Sequence, residues 1–268
     1  MTQRGVSAAS QAAGSTAQGL RERRVAHDSG DEADDAPADP WDDQAEDGAE
    51  PEAWRDDAPP APAAQAAPGE DDADSAGAEP AALVVLVSGT GSNLAALIEA
   101  CEDPSYGADI VGVVADKECA GLQRARAAGI PAEVVALADY PDRASWDEAL
   151  ARSVSGYVPD LVVCAGFMRL LGEAFLARFG GRVLNTHPSL LPDFPGAHAV
   201  RDALEAGATR AGATLFWVDA GVDTGEIIAQ VEVPVLAGDD ETALTERIKA
   251  AETPQLIEQI HLLIAPGR

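Results

Sequence analysis

Asn185 and His187 stand two residues apart at the end of a short apolar run, within Val183-Leu184-Asn185-Thr186-His187-Pro188-Ser189-Leu190-Leu191-Pro192. The lead-in has the character of a buried strand, and the prolines flanking Ser189-Leu190-Leu191 break it. In an extended segment residues i and i+2 point to the same side, so the amide and the imidazole would project together from a strand end. Downstream, a Gly/Asp loop from Asp219 to Gly225 offers a carboxylate at Asp223. An imidazole carries a proton near neutral pH. A carboxylate beside it would hold its tautomer and favour the imidazolium. An amide N–H would stabilise an oxyanion as it develops. The three together suit acyl transfer through a tetrahedral intermediate, and no Ser or Cys is evidently placed to form an acyl-enzyme. Each residue alone has an ordinary reading: His187 as a satisfied turn histidine, Asn185 and Asp223 as turn formers.

Elements must hold these residues. Residues 83–87, Leu-Val-Val-Leu-Val, form a continuous apolar run of the kind a buried parallel strand needs. Ser88-Gly89-Thr90-Gly91-Ser92-Asn93 follows, then a helical pattern over 94–98. Strand, Gly-rich turn and helix start together make an anion site, because glycines let the backbone approach and the first N–H groups of the helix are free donors. No Lys follows, so this is not a Walker A loop, and the third Gly of a dinucleotide fingerprint is missing. An ordinary βα turn with Ser92 as N-cap explains the segment equally well.

The alternation continues with strands over 110–114, 132–136, 161–165 and 182–185 and helices over 121–128, 143–153 and 171–178. Repeated strand–helix units imply an α/β fold, a mostly parallel sheet with helices on both faces and a site at the carboxyl ends of the strands. A helix over 196–206 and strands over 213–218 and 227–233 come next. The last helix, capped by Asp239 or Asp240, is expected to kink or divide at Pro254.

Composition sets limits. The 268 residues carry a formal net charge of −28. Residues 1–80 hold 20 of the acids against 5 arginines and little apolar material beyond Ala, so they read as a disordered acidic tail. Trp41 and Trp54 are the only large apolar side chains between Asp28 and Glu79. The folded catalytic domain is expected over residues 82–264. An acidic surface argues against nucleic acid and anionic membranes as partners. No apolar run is long enough to span a membrane, and no secretory signal is evident. Three cysteines without CxxC spacing suggest no zinc site and fit a reduced, cytoplasmic setting.

The sequence resembles the phosphoribosylglycinamide formyltransferase family of purine synthesis. Val87-Ser88-Gly89-Thr90-Gly91-Ser92-Asn93-Leu94, Ala165-Gly166-Phe167-Met168-Arg169, the segment from Leu184 to Pro192, Phe194-Pro195-Gly196 and the Asp219 loop carry the likeness, in order and in register. The resemblance covers residues 83 to about 264 and implies a Rossmann-like formyltransferase fold acting on small molecules, with 10-formyltetrahydrofolate as formyl donor and no metal. It implies that the amine of 5-phosphoribosyl-glycinamide attacks the formyl carbon. His187 would then be the general acid, Asp223 its orienting partner and Asn185 the donor to the formyl oxygen. Gly91, Ser92 and Asn93 would hold the substrate phosphate, with Lys249, Ala250, Ala251 and Glu252 toward the ribose and glycinamide end. Arg143, Met168, Arg169, Leu170, Leu171, Asn185 and the loop Asp219, Ala220, Gly221, Val222 and Asp223 would line the folate site. His198 would support from nearby.

Thr253 and Pro254 depart from the family, which often has His after the Glu at 252, and Glu226 stands where Pro is common. The closest competing activity is hydrolysis of formyltetrahydrofolate, with water in place of the amine. A methionyl-tRNA formyltransferase would carry a further basic domain, which the acidic chain does not suggest. A non-catalytic folate- or nucleotide-binding module is a third reading, against which the complete trio weighs. Either a monomer or a homodimer is compatible with the sequence.

Overall fold

The computed structural model describes residues 79–265. The acidic tail expected over 1–80 therefore lies, apart from its last two residues, outside the described residues.

Strand β1 (Ala81–Val87) is the axis of the sheet. Side chains of successive strand residues point to opposite faces. Leu83, Val85 and Val87 accordingly enter one apolar cluster, and Val84 and Leu86 enter another. All five are fully buried, which explains why the run is continuous rather than alternating. The first cluster is closed by α1 (Ser92–Cys101), α2 (Ala120–Ala127) and α6 (Glu241–Ile264), through Leu94, Leu97, Leu122, Leu256 and Ile260. The second is closed by α3 (Arg143–Ser155) and α4 (Glu173–Phe179), through Trp146, Leu150, Val154, Phe175 and Phe179. Asp147 of α3 fixes one helix against the other, accepting the N–H groups of Gly172 and Phe175 at the start of α4.

The remaining strands are β2 (Ala108–Ala115), β3 (Ala132–Val134), β4 (Leu161–Cys164), β5 (Val183–His187), β6 (Arg210–Trp217) and β7 (Ile227–Pro234). The sheet order is β3-β2-β1-β4-β5-β6-β7. The first five are parallel; β6 runs antiparallel to β5, and β7 antiparallel to β6. The mostly parallel expectation holds, with a two-strand antiparallel edge. After β1 the chain builds outward through β2 and β3, then returns to place β4 on the other side of β1. The loops leaving β1 and β4 thus diverge at a topological switch point, where ligands of such sheets bind.

The expectation that Pro254 divides the last helix is corrected. Helix α6 runs unbroken for 24 residues with Pro254 inside it. Proline removes one i→i−4 hydrogen bond and crowds the preceding turn, a cost of about 3 kcal/mol or more. Packing outweighs it. On one side Leu244 and Ile248 are buried with Val200, Ala213 and Val233. On the other, Leu256 and Ile260 are buried in the first cluster. Both halves of the helix are anchored independently, so it continues through the defect. Asp240, rather than Asp239, is the N-cap, accepting from the Ala243 N–H at 2.8 Å. Asp239 instead pairs with Arg247.

Candidate active site

Asn185 and His187 do lie on one strand, β5, with Thr186 between them. Neighbours set its register: Asn185 sits opposite Cys164 of β4 and Phe216 of β6. Beyond His187 the chain makes a tight loop, held by polar groups on the antiparallel edge. Thr214, fully buried on β6, donates its hydroxyl to the Ser189 carbonyl at 2.7 Å and accepts the Leu191 N–H at 3.0 Å. Gln230 of β7 donates to the Leu191 carbonyl at 2.9 Å. Ser189 donates to the Asp193 carbonyl at 2.6 Å. The loop therefore carries Phe194 back to His187, whose Nε2 lies 2.9 Å from the Phe194 carbonyl. A carbonyl only accepts, so Nε2 carries a hydrogen.

The other ring nitrogen, Nδ1, is 3.5 Å from Asp223 Oδ2. The same Asp223 oxygen accepts the Gly196 N–H at 2.8 Å. Asp223 has a left-handed backbone (φ 53°), which lets its side chain turn in from a tight loop. His187 thus stands between two acceptors, and it satisfies both only with a hydrogen on each nitrogen. With side chains 7% and 11% exposed, His187 and Asp223 meet largely out of water, where solvent screens the contact little.

A small open cleft of about 60 Å³ is lined by Asp223, with His187 behind it rather than on the cleft surface. Arg169, Leu170, Leu171, Asn185, Asp219, Ala220, Gly221 and Asp223 line it, bringing together most of the residues expected at the folate site. Cys164, Phe167, Phe216 and Val218 line it too, and none of them was singled out from the sequence. Burial pushes the Cys164 thiol up to about 12, so it serves as an apolar wall. Arg143, Met168 and Val222 are not on the cleft surface. Arg143 stacks its guanidinium 4.8 Å over the Trp146 ring and donates to the Leu170 carbonyl, bracing the wall from behind. Met168 is half exposed, and its N–H donates to Ser88. The Asp219 loop is held locally: Asp219 accepts from the Gly221 N–H at 3.0 Å and the Thr224 hydroxyl at 2.8 Å.

A second group lies where β1 passes into α1. The N-cap of α1 is Gly91, not Ser92, and no side chain occupies the cap. The first-turn N–H groups of Ser92 and Asn93 are then the donors an anion meets. Gly91 is left-handed (φ 67°), and a Cβ there would come 2.7 Å from the Gly121 Cα. Gly121 in turn donates its N–H to the Gly89 carbonyl at 3.0 Å. Arg124 of α2 donates to the Thr90 carbonyl at 2.9 Å, setting a cation against the loop. Sequence reasoning passed over this arginine, which is 34 positions away.

Helix α6 brings the far end to the same place. Glu252 is buried and accepts the Thr186 hydroxyl. Burial pushes its carboxyl up, while the Thr186 hydroxyl, the Asn93 amide and the charges of Lys249 and His187 pull it back down. Thr253 donates its hydroxyl to Asn93 Oδ1 at 2.8 Å. Ala251 is partly buried against the third apolar cluster; Lys249 and Ala250 are exposed. His198 is exposed at the N-cap of α5 (Ala199–Glu205) and makes no side-chain cap. Among the described residues no group of His, Cys, Asp and Glu is arranged to hold a metal ion, and no helix is long and apolar enough to cross a membrane.

The family model described as Formyl transferase matches residues 81–260. A phosphoribosylglycinamide formyltransferase of Mycobacterium tuberculosis (strain ATCC 25618 / H37Rv) is 52% identical over 188 residues, 70% of this chain and 87% of the relative. Its Escherichia coli K12 counterpart is 43% identical over 171 residues, 63% of this chain and 81% of the relative. Among solved structures, glycinamide ribonucleotide transformylase 1 from Symbiobacterium toebii superposes with a TM-score of 0.68 at 43% identity, over 70% of this chain and 89% of that one.

Proposed function

The chain belongs to the formyl transferase family and, within it, to the phosphoribosylglycinamide formyltransferases; on that premise we propose that it carries the formyl group of 10-formyltetrahydrofolate directly to the amine of 5-phosphoribosyl-glycinamide. The observation that carries this reading is the His187–Asp223 contact at the edge of a cleft that Asn185 also lines.

The substrate amine forms a new C–N bond at the formyl carbon, and the formyl oxygen takes the negative charge. The Asn185 amide donates to that oxygen, a bond that strengthens as the charge develops. His187 Nε2 is committed to the Phe194 carbonyl, so Nδ1, loosely held by Asp223, is the nitrogen that gives its proton to the leaving folate nitrogen. The intermediate then collapses with loss of the old C–N bond. Asp223 fixes the ring and stabilises its charged form until transfer. The attacking amine must be neutral, and its proton leaves to water. Holding both substrates in one cleft supplies much of the acceleration.

In this reading Gly91, Ser92 and Asn93 hold the phosphate and Glu252 faces the ribose or glycinamide end. The folate lies against the 169–171 and 219–223 segments. Residues 82–264 carry the catalytic unit. The chemistry requires no metal, and both partners are small molecules. The test is a formyl-transfer assay on the full chain with 5-phosphoribosyl-glycinamide, beside a reaction lacking it. Formylated glycinamide product formed only with the amine is expected. Release of formate at the same rate without the amine would replace this reading with hydrolysis.

A further inference from the structure

Thr253 follows Glu252 on α6, and the structure gives its hydroxyl a particular partner. A threonine inside a helix ordinarily returns its hydroxyl to a carbonyl of its own preceding turn. The Thr253 hydroxyl instead crosses from α6 to α1 and donates to Asn93 Oδ1 at 2.8 Å, 160 residues away in sequence. Asn93 is itself buried. Its side-chain amide has one accepting and one donating end. The Glu252 carboxylate beside it accepts only, and the Asn93 amide stabilises that carboxylate. With the oxygen taken by Thr253, the NH2 is left for Glu252, and the opposite orientation would set oxygen against carboxylate. Thr186 completes the chain by donating to Glu252 from β5. Three elements, α1, α6 and β5, are thereby joined through Thr253, Asn93, Glu252 and Thr186 at the end of the site opposite the folate cleft.

We propose that Thr253 is a positioning residue for the phosphoribosyl-bearing substrate: its hydroxyl sets the Asn93 amide so that the first turn of α1 and the Glu252 carboxylate are presented together. This rests on the functional reading above. It assigns Thr253 to ground-state binding of one substrate, acting through Asn93, with no part in the transfer step.

The experiment compares the full chain with Thr253→Val, which keeps the shape and removes the hydroxyl, and Thr253→Ser, which keeps the hydroxyl. Binding of 5-phosphoribosyl-glycinamide is measured by calorimetry without folate, and both Michaelis constants are measured in the transfer assay. Loss of one such hydrogen bond corresponds to about three- to tenfold weaker binding. Thr253→Val is expected to weaken glycinamide binding, and to raise its KM, by that factor. The KM for 10-formyltetrahydrofolate and the saturated kcat should stay within about twofold, and Thr253→Ser should match the parent. An unchanged Val variant, an equal rise in both Michaelis constants, or a Ser variant as weak as Val would each overturn the proposal. A parent chain that binds the glycinamide substrate but transfers no formyl group would sink the functional reading alone. One that transfers normally with an unaffected Val variant would sink only this inference.

Discussion

The two ends of the site are held in different ways. The cleft proposed for folate is walled in part by consecutive residues, 169–171 and 219–221, and its Asp219 loop is tied by bonds spanning two and five residues. The opposite end is tied by side-chain bonds spanning 66 and 160 residues, between elements that pack through the core. A loop closed on itself can open without disturbing the sheet, whereas a shift of α6 against α1 would pull on the Thr253–Asn93 bond that crosses between them. On the proposed assignment of the two substrates, one would meet a pre-set seat and the other an adjustable wall.

His187 and Asp223 stand at the boundary, and breaking them should affect both ends. His187→Ala is expected to lower kcat by about a thousandfold with both substrates still bound, as loss of a positioned proton donor does. Near-normal turnover in single-turnover kinetics would remove His187 from the mechanism. Asp223→Asn should cost about a hundredfold in kcat. Asparagine tolerates the left-handed backbone and can still accept from Gly196, so this change tests the charge facing His187 rather than the loop.

On the rigid side, Glu252→Gln should raise the KM for 5-phosphoribosyl-glycinamide about tenfold and leave that for folate unchanged. It also has a pH signature. Burial raises the folded carboxyl above its unfolded value. The folded state then keeps this proton when the unfolded chain has lost it. Its contribution to stability is complete below the ordinary glutamate range and disappears as pH rises through the raised value. Denaturant melts of Glu252→Gln should therefore fall off less steeply with rising pH across that window; parallel curves would contradict the burial argument. On the adjustable side, Asp219→Ala should raise the folate KM by only about threefold, with little change in melting temperature. A global loss of stability there would erase the distinction between the two ends.

How much of this was legible in the sequence follows the same division. The strand runs, the Gly-rich turn and the Asn185–His187 spacing are local patterns, and each falls on the expected element. The cleft-lining residues 169–171 and 219–221 were named through the family resemblance, and no local pattern of their own pointed to a cleft. Thr186 and Thr253 gave no local sign, because a hydroxyl acquires its partner only when distant elements pack. The antiparallel direction of β6 and β7 was equally hidden, since apolar alternation does not report strand polarity. Pro254 misled because a proline's cost is local, while the burial that outweighs it comes from two separate clusters. Ser92 is the residue type a cap favours, but Gly91 could take the left-handed turn against Gly121 and so became the cap.

That contact between Gly91 and Gly121 has a consequence for how this chain can vary. A methyl group at 91 would meet the backbone of 121, and one at 121 would come 3.1 Å from Val87 of the central strand. At 91 the obstacle is backbone, which no side-chain movement relieves, whereas at 121 the Val87 side chain would have to yield by a few tenths of an ångström. The Gly-rich loop proposed to hold the phosphate is thus most constrained at Gly91, and residues that touch it from outside, such as Arg124, are freer to change.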